Sequence, residues 1–181
     1  MPMLIVPTVA VHRSFLATWD ELGPEQERWM GAKSIADDDE EWTREQAADP
    51  AEFRRLVEAI KAEADPATEL PPGIVHQTVL WYVDGDEFLG RLSIRHWLTP
   101  PLLEVAGHIG YCVRPSARRR GHATQMLVQS LPLAANLGID PALVTCDTNN
   151  VGSRRVIEAA GGELEDERHG KLRFWVPTHL A

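Results

Sequence analysis

The sequence predicts an α+β fold: a mixed, mostly antiparallel central sheet of about six or seven strands flanked by about four helices. Two observations predict it. The element order reads strand, helix, helix, then three strands in a meander, then helix, strand, helix and two closing strands. A meander followed by a βαβ-like unit gives a mixed sheet, not a doubly wound one. The 181 residues also show no internal repeat and no clear boundary, so one domain spanning 1–181 is expected. A chain of this length buries roughly 70% of its unfolded surface in a single core.

Leu4-Ile5-Val6 opens a short strand. The apolar run from Met3 to Val11 has no preceding positive charge and is followed by His12 and Arg13, so it reads as a strand and not as a secretion signal. Ser14 to Leu22 is helical, with Phe15, Leu16 and Trp19 on one side, and Gly23-Pro24 ends it. Residues 25–49 are polar and acidic. Asp49-Pro50 pairs an N-cap with a proline at the first helical position. The helix then runs to about Ala64 with Phe53, Leu56, Val57 and Ile60 inward.

Thr78 to Val83 is strand-like, Asp84-Gly85-Asp86 is a hairpin turn, and Glu87 to Ile94 returns. Leu98 to Leu103, with Pro100-Pro101, reads as a loop. His108 to Val113 is the next strand, stopped by Arg114-Pro115-Ser116. A helix from about Gly121 to Leu137 contains Pro132, which predicts a kink or an early end. Ala142 to Cys146 is a strand, Val151 to Ala160 a short helix, and two strands follow near Glu163 and from Leu172 to Val176.

The formal charge is −9, from 18 Lys and Arg against 27 Asp and Glu. The stretch from Asp20 to Asp65 holds 15 acidic and 6 basic residues and so carries the whole imbalance. Phosphate binding needs a basic face, so the overall acidity disfavours nucleic acid, including through Arg114 to Arg120, and no nucleic-acid partner is expected. No apolar run approaches the ~20 residues of a membrane span. Cys112 and Cys146 lack zinc-ligand spacing and sit in apolar runs, which predicts reduced buried thiols, a cytoplasmic protein and no metal. A monomer or homodimer is expected.

One local exception to the acidity is Arg114, Arg118, Arg119 and Arg120. A strand ends at Val113, a basic loop turns, and a helix starts at Gly121. The first turn of a helix has unpaired N–H groups and a dipole that favours an anion. Gly121 and Ala123 leave room for a phosphate to approach the backbone. The arrangement is a pyrophosphate site without either common nucleotide fingerprint.

Arg118-x-x-Gly121-x-Ala123 resembles the [Q/R]-x-x-G-x-[G/A] signature of the GNAT superfamily of acyl-CoA-dependent N-acetyltransferases. The strand about twenty residues on, then Asn149-Asn150-Val151-Gly152-Ser153 and Gly161-Gly162, resemble the family's second half. Arg95-His96, Gly107 to Tyr111, Arg114-Pro115-Ser116 and Thr145-Cys146-Asp147 are similar to phrases of a bacterial group of predicted acetyltransferases of unassigned substrate. The resemblance implies a GNAT-like sheet and acetyl-CoA as acyl donor. It implies that the main chain of Tyr111, Cys112 and Val113 pairs with the pantetheine arm. Arg119 to Thr124 (Arg119, Arg120, Gly121, His122, Ala123 and Thr124), together with Arg118, would hold the pyrophosphate. Asn150, with Ser153 beside it, would meet the pantetheine end.

The resemblance also implies a tyrosine seven residues after the Asn, to protonate the departing thiolate. That position is Ile157. The chain therefore reads either as an enzyme moving acetyl directly to a primary amine with another proton source, or as a non-catalytic acyl-CoA-binding or sensor protein. Four polar groups are candidates near the acetyl end: His108, His96, Glu104 acting through water, and Tyr111. Alternation places His108 on the face opposite Val113 unless a bulge intervenes. The acceptor is expected to be a small-molecule or peptide amine. If the acidic segment from about residue 14 to 65 walls the groove, that amine is cationic; if Asp37 to Glu41 points away, the segment has no say.

Overall fold

Seven strands form one sheet in the order β1-β2-β3-β4-β5-β7-β6. The computed structural model describes residues 1–23, 29–30 and 42–179. The acidic run Asp37 to Glu41 lies outside the described residues. The strands are β1 (Met3–Ile5), β2 (Gln77–Asp84), β3 (Glu87–Arg95), β4 (Ile109–Val113), β5 (Ala142–Asp147), β6 (Glu163–Arg168) and β7 (Lys171–Val176). The α helices among the described residues are α1 (His12–Leu22), α2 (Pro50–Ala62), α3 (Pro100–Val105), α4 (His122–Asn136) and α5 (Val151–Ala159). All neighbouring strands pair antiparallel except β4 and β5, which are parallel. The predicted α+β class and mixed sheet are what the structure has.

Strand alternation splits the core into two layers. From β2, Leu80 and Tyr82 join Met126, Leu127 and Leu131 of α4 and Ile157 of α5. Val79, Trp81 and Val83 of the same strand face the other way, onto Phe15 and Trp19 of α1 and Phe53, Leu56 and Ile60 of α2. Both faces of the sheet are thus covered by helices. The start of α2 follows the sequence rule: the Asp49 carboxylate accepts from the N–H of Ala51 and Glu52, and Pro50 occupies the first turn.

Four expectations are corrected. Pro100-Pro101 opens the short helix α3 where a loop was expected, because two prolines cost nothing in a first turn whose N–H groups have no helical partner. Of the kink or early end expected at Pro132, the early end does not occur: helix α4 continues to Asn136, held by buried Leu131 and Ala134. Strand β4 starts at Ile109, and His108 lies just outside it. Of the two thiols, Cys146 is buried as expected but Cys112 is only half-buried, and neither forms a disulfide. No helix among the described residues is long and apolar enough to cross a membrane.

Candidate acyl-CoA site

The parallel pair β4–β5 closes on one register position, Ile109 with Val144. An isolated bridge from Gly107 to Val144 and a bond from the His108 N–H to the Leu143 carbonyl (2.7 Å) pin the same end. Beyond Ile109 the two strands have no further ladder pair. On its other side β4 is fully paired with β3, from Ile94–Ile109 to Gly90–Val113. The Arg114 N–H to Leu89 carbonyl and Arg95 N–H to His108 carbonyl bonds fix which residues serve that ladder. By parity, residues 109, 111 and 113 turn their main-chain groups toward the gap. A strand-like ligand can pair there through Tyr111 and Val113, whereas Cys112, expected to share in that pairing, turns its main chain to β3. His108 breaks the parity, since its N–H goes to β5 and its carbonyl to β3. That irregularity is the bulge the sequence left open.

Past β4 the chain makes a one-turn 3₁₀ segment, Pro115–Ala117, and enters α4. Glu21 of α1 ties this turn down: its carboxylate accepts from Arg114 Nε (2.7 Å) and from the Ser116 N–H (3.0 Å). Arg118 folds back, its Nε donating to the Val113 carbonyl at 2.9 Å. Gly121 has φ of +81° and a Cβ placed on it would meet nothing within 4 Å. The first helical bond is from the Gln125 N–H to the Gly121 carbonyl. The N–H groups of His122, Ala123 and Thr124 therefore precede the ladder, with no acidic side chain in that turn. Open space before Gly121, arginines beside it and unladdered N–H groups fit a pyrophosphate.

A cavity of about 630 Å³ runs along this cradle, lined by Cys112, Val113, Arg118, Arg119, Gly121, His122, Ala123 and Thr124. Arg120 of the predicted set is not among its lining residues. The His122 Nδ1 is buried there without a hydrogen-bond partner, and its ring packs edge-on against Tyr82. A second cavity, about 450 Å³, adjoins it. Trp29, Tyr111, Asp147, Asn150 and Ser153 line both. Asn150 caps α5, its Oδ1 accepting from the Ser153 N–H (3.0 Å), which leaves its amide nitrogen to donate. The Tyr111 hydroxyl lies 2.7 Å from Ser153 Oγ. Burial pushes the Tyr111 phenol up to about 12, so it stays protonated.

The other three candidate groups near the acetyl end line neither cavity. His108 Nδ1 accepts the Leu143 N–H at 2.9 Å, so its neutral ring carries the proton on Nε2 and has no free lone pair. Burial and the Arg95 charge lower its pKa to about 4. His96 pairs through Nε2 with Thr78 Oγ1 (2.8 Å) and stacks near His76, while burial first and His76 second lower its pKa. Glu104 belongs to α3 and is held by Arg168 at 2.8 Å. Ile157, the position of the implied family tyrosine, is fully buried against the sheet.

Sequence reasoning missed the far wall. Arg91, Ser93 and Arg95 alternate along β3, so all three share the face toward α1 and α2 and line the second cavity. Their i, i+2, i+4 spacing was the available signal. No group of three or more His, Cys, Asp or Glu among the described residues could hold a metal ion.

Residues 19–163 match the family model described as an acetyltransferase (GNAT) domain. No curated protein matches the sequence. Among solved structures, the chain is similar to Mycobacterium smegmatis RimJ in complex with CoA-disulfide, at 15% identity and TM-score 0.63, covering 97% of this chain and 81% of that one. It is also similar to the ribosomal-protein-S5-alanine acetyltransferase of Vibrio fischeri (16%, TM-score 0.57, 98% and 92%). A third is the microcin C7 self-immunity acetyltransferase MccE in complex with acetyl-CoA and AMP (12%, TM-score 0.58, 97% and 92%). At these identities the likeness is one of fold.

Proposed function

The chain belongs to the acetyltransferase (GNAT) domain family, and from that premise we propose that it moves the acetyl group of acetyl-CoA directly to a primary amine. The carrying observation is the Tyr111–Ser153 hydroxyl pair, set where the cradle cavity meets the second cavity. Acetyl-CoA, when bound, supplies an activated acyl carbon and a thiolate leaving group. Arg118, Arg119 and the N–H groups at Gly121 to Thr124 would hold its pyrophosphate. The main chain of Tyr111 and Val113 would hold its arm, and a β4 N–H facing the gap would serve the developing oxyanion.

The proton balance closes without the tyrosine absent at Ile157. The amine loses one proton on acylation and the departing sulfur gains one. Tyr111 stays protonated across the physiological range, so it acts as donor and relay, with Ser153 Oγ as its partner. Neither His96 nor His108 borders the reacting space, so the acceptor must enter as the neutral amine. The test has two steps. Calorimetry should show CoA binding to the wild type, and an amine panel should release thiol from acetyl-CoA. Binding without release for every amine, matched by an unaltered Tyr111→Phe variant, would leave only an acyl-CoA-binding role.

A further inference from the structure

The second cavity lies across the Tyr111–Ser153 pair from the cradle, and its described charged lining is Arg91, Arg95, Lys171 and Asp147. Lys171 and Asp147 are spent on each other in an ion pair across β5 and β7. Arg91 has the buried Glu63 as a nearby counter-charge, itself held by Gln77 Nε2 at 2.7 Å. Arg95 differs. Its Nη1 donates to the Gly107 carbonyl at 3.0 Å, and no carboxylate among the described residues forms an ion pair with it. Burial first, and the Arg91 charge second, lower its pKa, so both oppose the cation that an arginine must nevertheless carry. A bound anion would relieve both.

Of the described carboxylates of the acidic segment, Glu63 lies near Arg91 and none forms an ion pair with Arg95. Asp20 pairs with Arg44, Glu21 with Arg114, Glu52 with Arg55 and Glu58 with Lys61. We propose that Arg95, with Arg91 beside it, selects an acceptor amine that carries its own carboxylate or phosphate. This rests on the acetyl-transfer reading and takes the sign opposite to the cationic acceptor expected from the acidic segment. A guanidinium offers a planar fork that matches either anion, and a half-buried site strengthens the bond. The same positive lining disfavours an ammonium ion, so it also favours the neutral amine that the reaction needs.

The experiment is calorimetric titration of the CoA-loaded protein with two matched pairs: phosphoethanolamine against ethanolamine, and β-alanine against β-alaninamide. The anionic member of at least one pair should bind at least about tenfold tighter. Which pair shows the gap separates phosphate from carboxylate. The gap should close in Arg95→Gln, with CoA affinity as the control because Arg95 lies outside the cradle. A second variant, Ser93→Asp, keeps both arginines and places a carboxylate between them; it too should close the gap. Equal affinities within both pairs, or a gap that survives both variants, overturns the proposal. Titration needs no turnover, so a protein that binds CoA and the anionic amine yet releases no thiol would sink acetyl transfer alone. If CoA itself does not bind, the same titrations on the unloaded protein decide the anion site separately.

Discussion

The Tyr111 hydroxyl on β4 and Ser153 Oγ on α5 stand 2.7 Å apart, at the boundary between the cradle and the second cavity. Ile157, the helix position of the implied family tyrosine, carries no hydroxyl. If the pair works as one relay, Tyr111→Phe and Ser153→Ala should each lower kcat by about 10²-fold. The double variant should be little worse than the poorer single, because groups acting as a unit are not additive. KM for acetyl-CoA should change little. Additive losses in steady-state kinetics would mean that the two hydroxyls act separately.

His108 predicts a pH effect on stability and none on the acid limb of catalysis. Its folded pKa is about 4, below the 6.5 of the free side chain, so the unfolded chain takes up the proton first. The stability tied to the neutral ring is complete above about pH 6.5 and is lost as pH falls toward 4. His108→Asn keeps an acceptor near the Leu143 N–H but cannot titrate. Its melting temperature should fall less than wild type between pH 7 and pH 4, and the acid side of its pH–rate profile should match that of the wild type. An acid limb that vanishes in His108→Asn would restore the histidine as a base.

Gly121→Glu tests the cradle. The position has φ +81° with open space before it, so the substitution adds strain and puts a carboxylate where phosphate is expected. Affinity for CoA should drop by about 100-fold or more, roughly 2.7 kcal/mol by calorimetry. Far-UV circular dichroism should stay unchanged. Wild-type affinity in this variant would remove the pyrophosphate assignment.

The α1/α2 layer is anchored by Phe15, which is fully buried and lies about 5 Å between ring centroids from each of Phe53, Trp81 and Phe88. Phe15→Ala should cost about 3–5 kcal/mol in urea unfolding, from lost burial plus a cavity. A loss under about 1 kcal/mol would mean that this layer closes over the gap or adds little.

Much of the fold was legible because its signals are local. The run from Val79 to Val83 is apolar at every position, as a strand covered on both faces must be. Asp49-Pro50 announced α2, and Gly121 announced the start of α4. Other features depended on packing across the chain. Pro132 is a helix breaker by local rule, yet its neighbours Leu131 and Ala134 are buried in the core and carry the helix past it. Helix α3 shows no apolar stripe, since Leu103 and Val105 are exposed. The cradle was readable from Arg118 to Thr124. The Tyr111–Ser153 contact was not, because 42 residues separate the partners. Arg91, Ser93 and Arg95 carried no assignment to the site from sequence. In the fold they line a cavity together with residues of β4 and β5, a juxtaposition no local pattern shows.

The most direct test of the central claim couples two readouts in one reaction. Wild-type protein is incubated with acetyl-CoA and the amine panel, thiol release is followed in time, and the amine is weighed by mass spectrometry. The account predicts one acetyl group gained by one or more amines per thiol released, with both signals lost together in the Tyr111→Phe, Ser153→Ala double variant. Thiol release with no acetylated amine, or acetylation undiminished in the double variant, would contradict it.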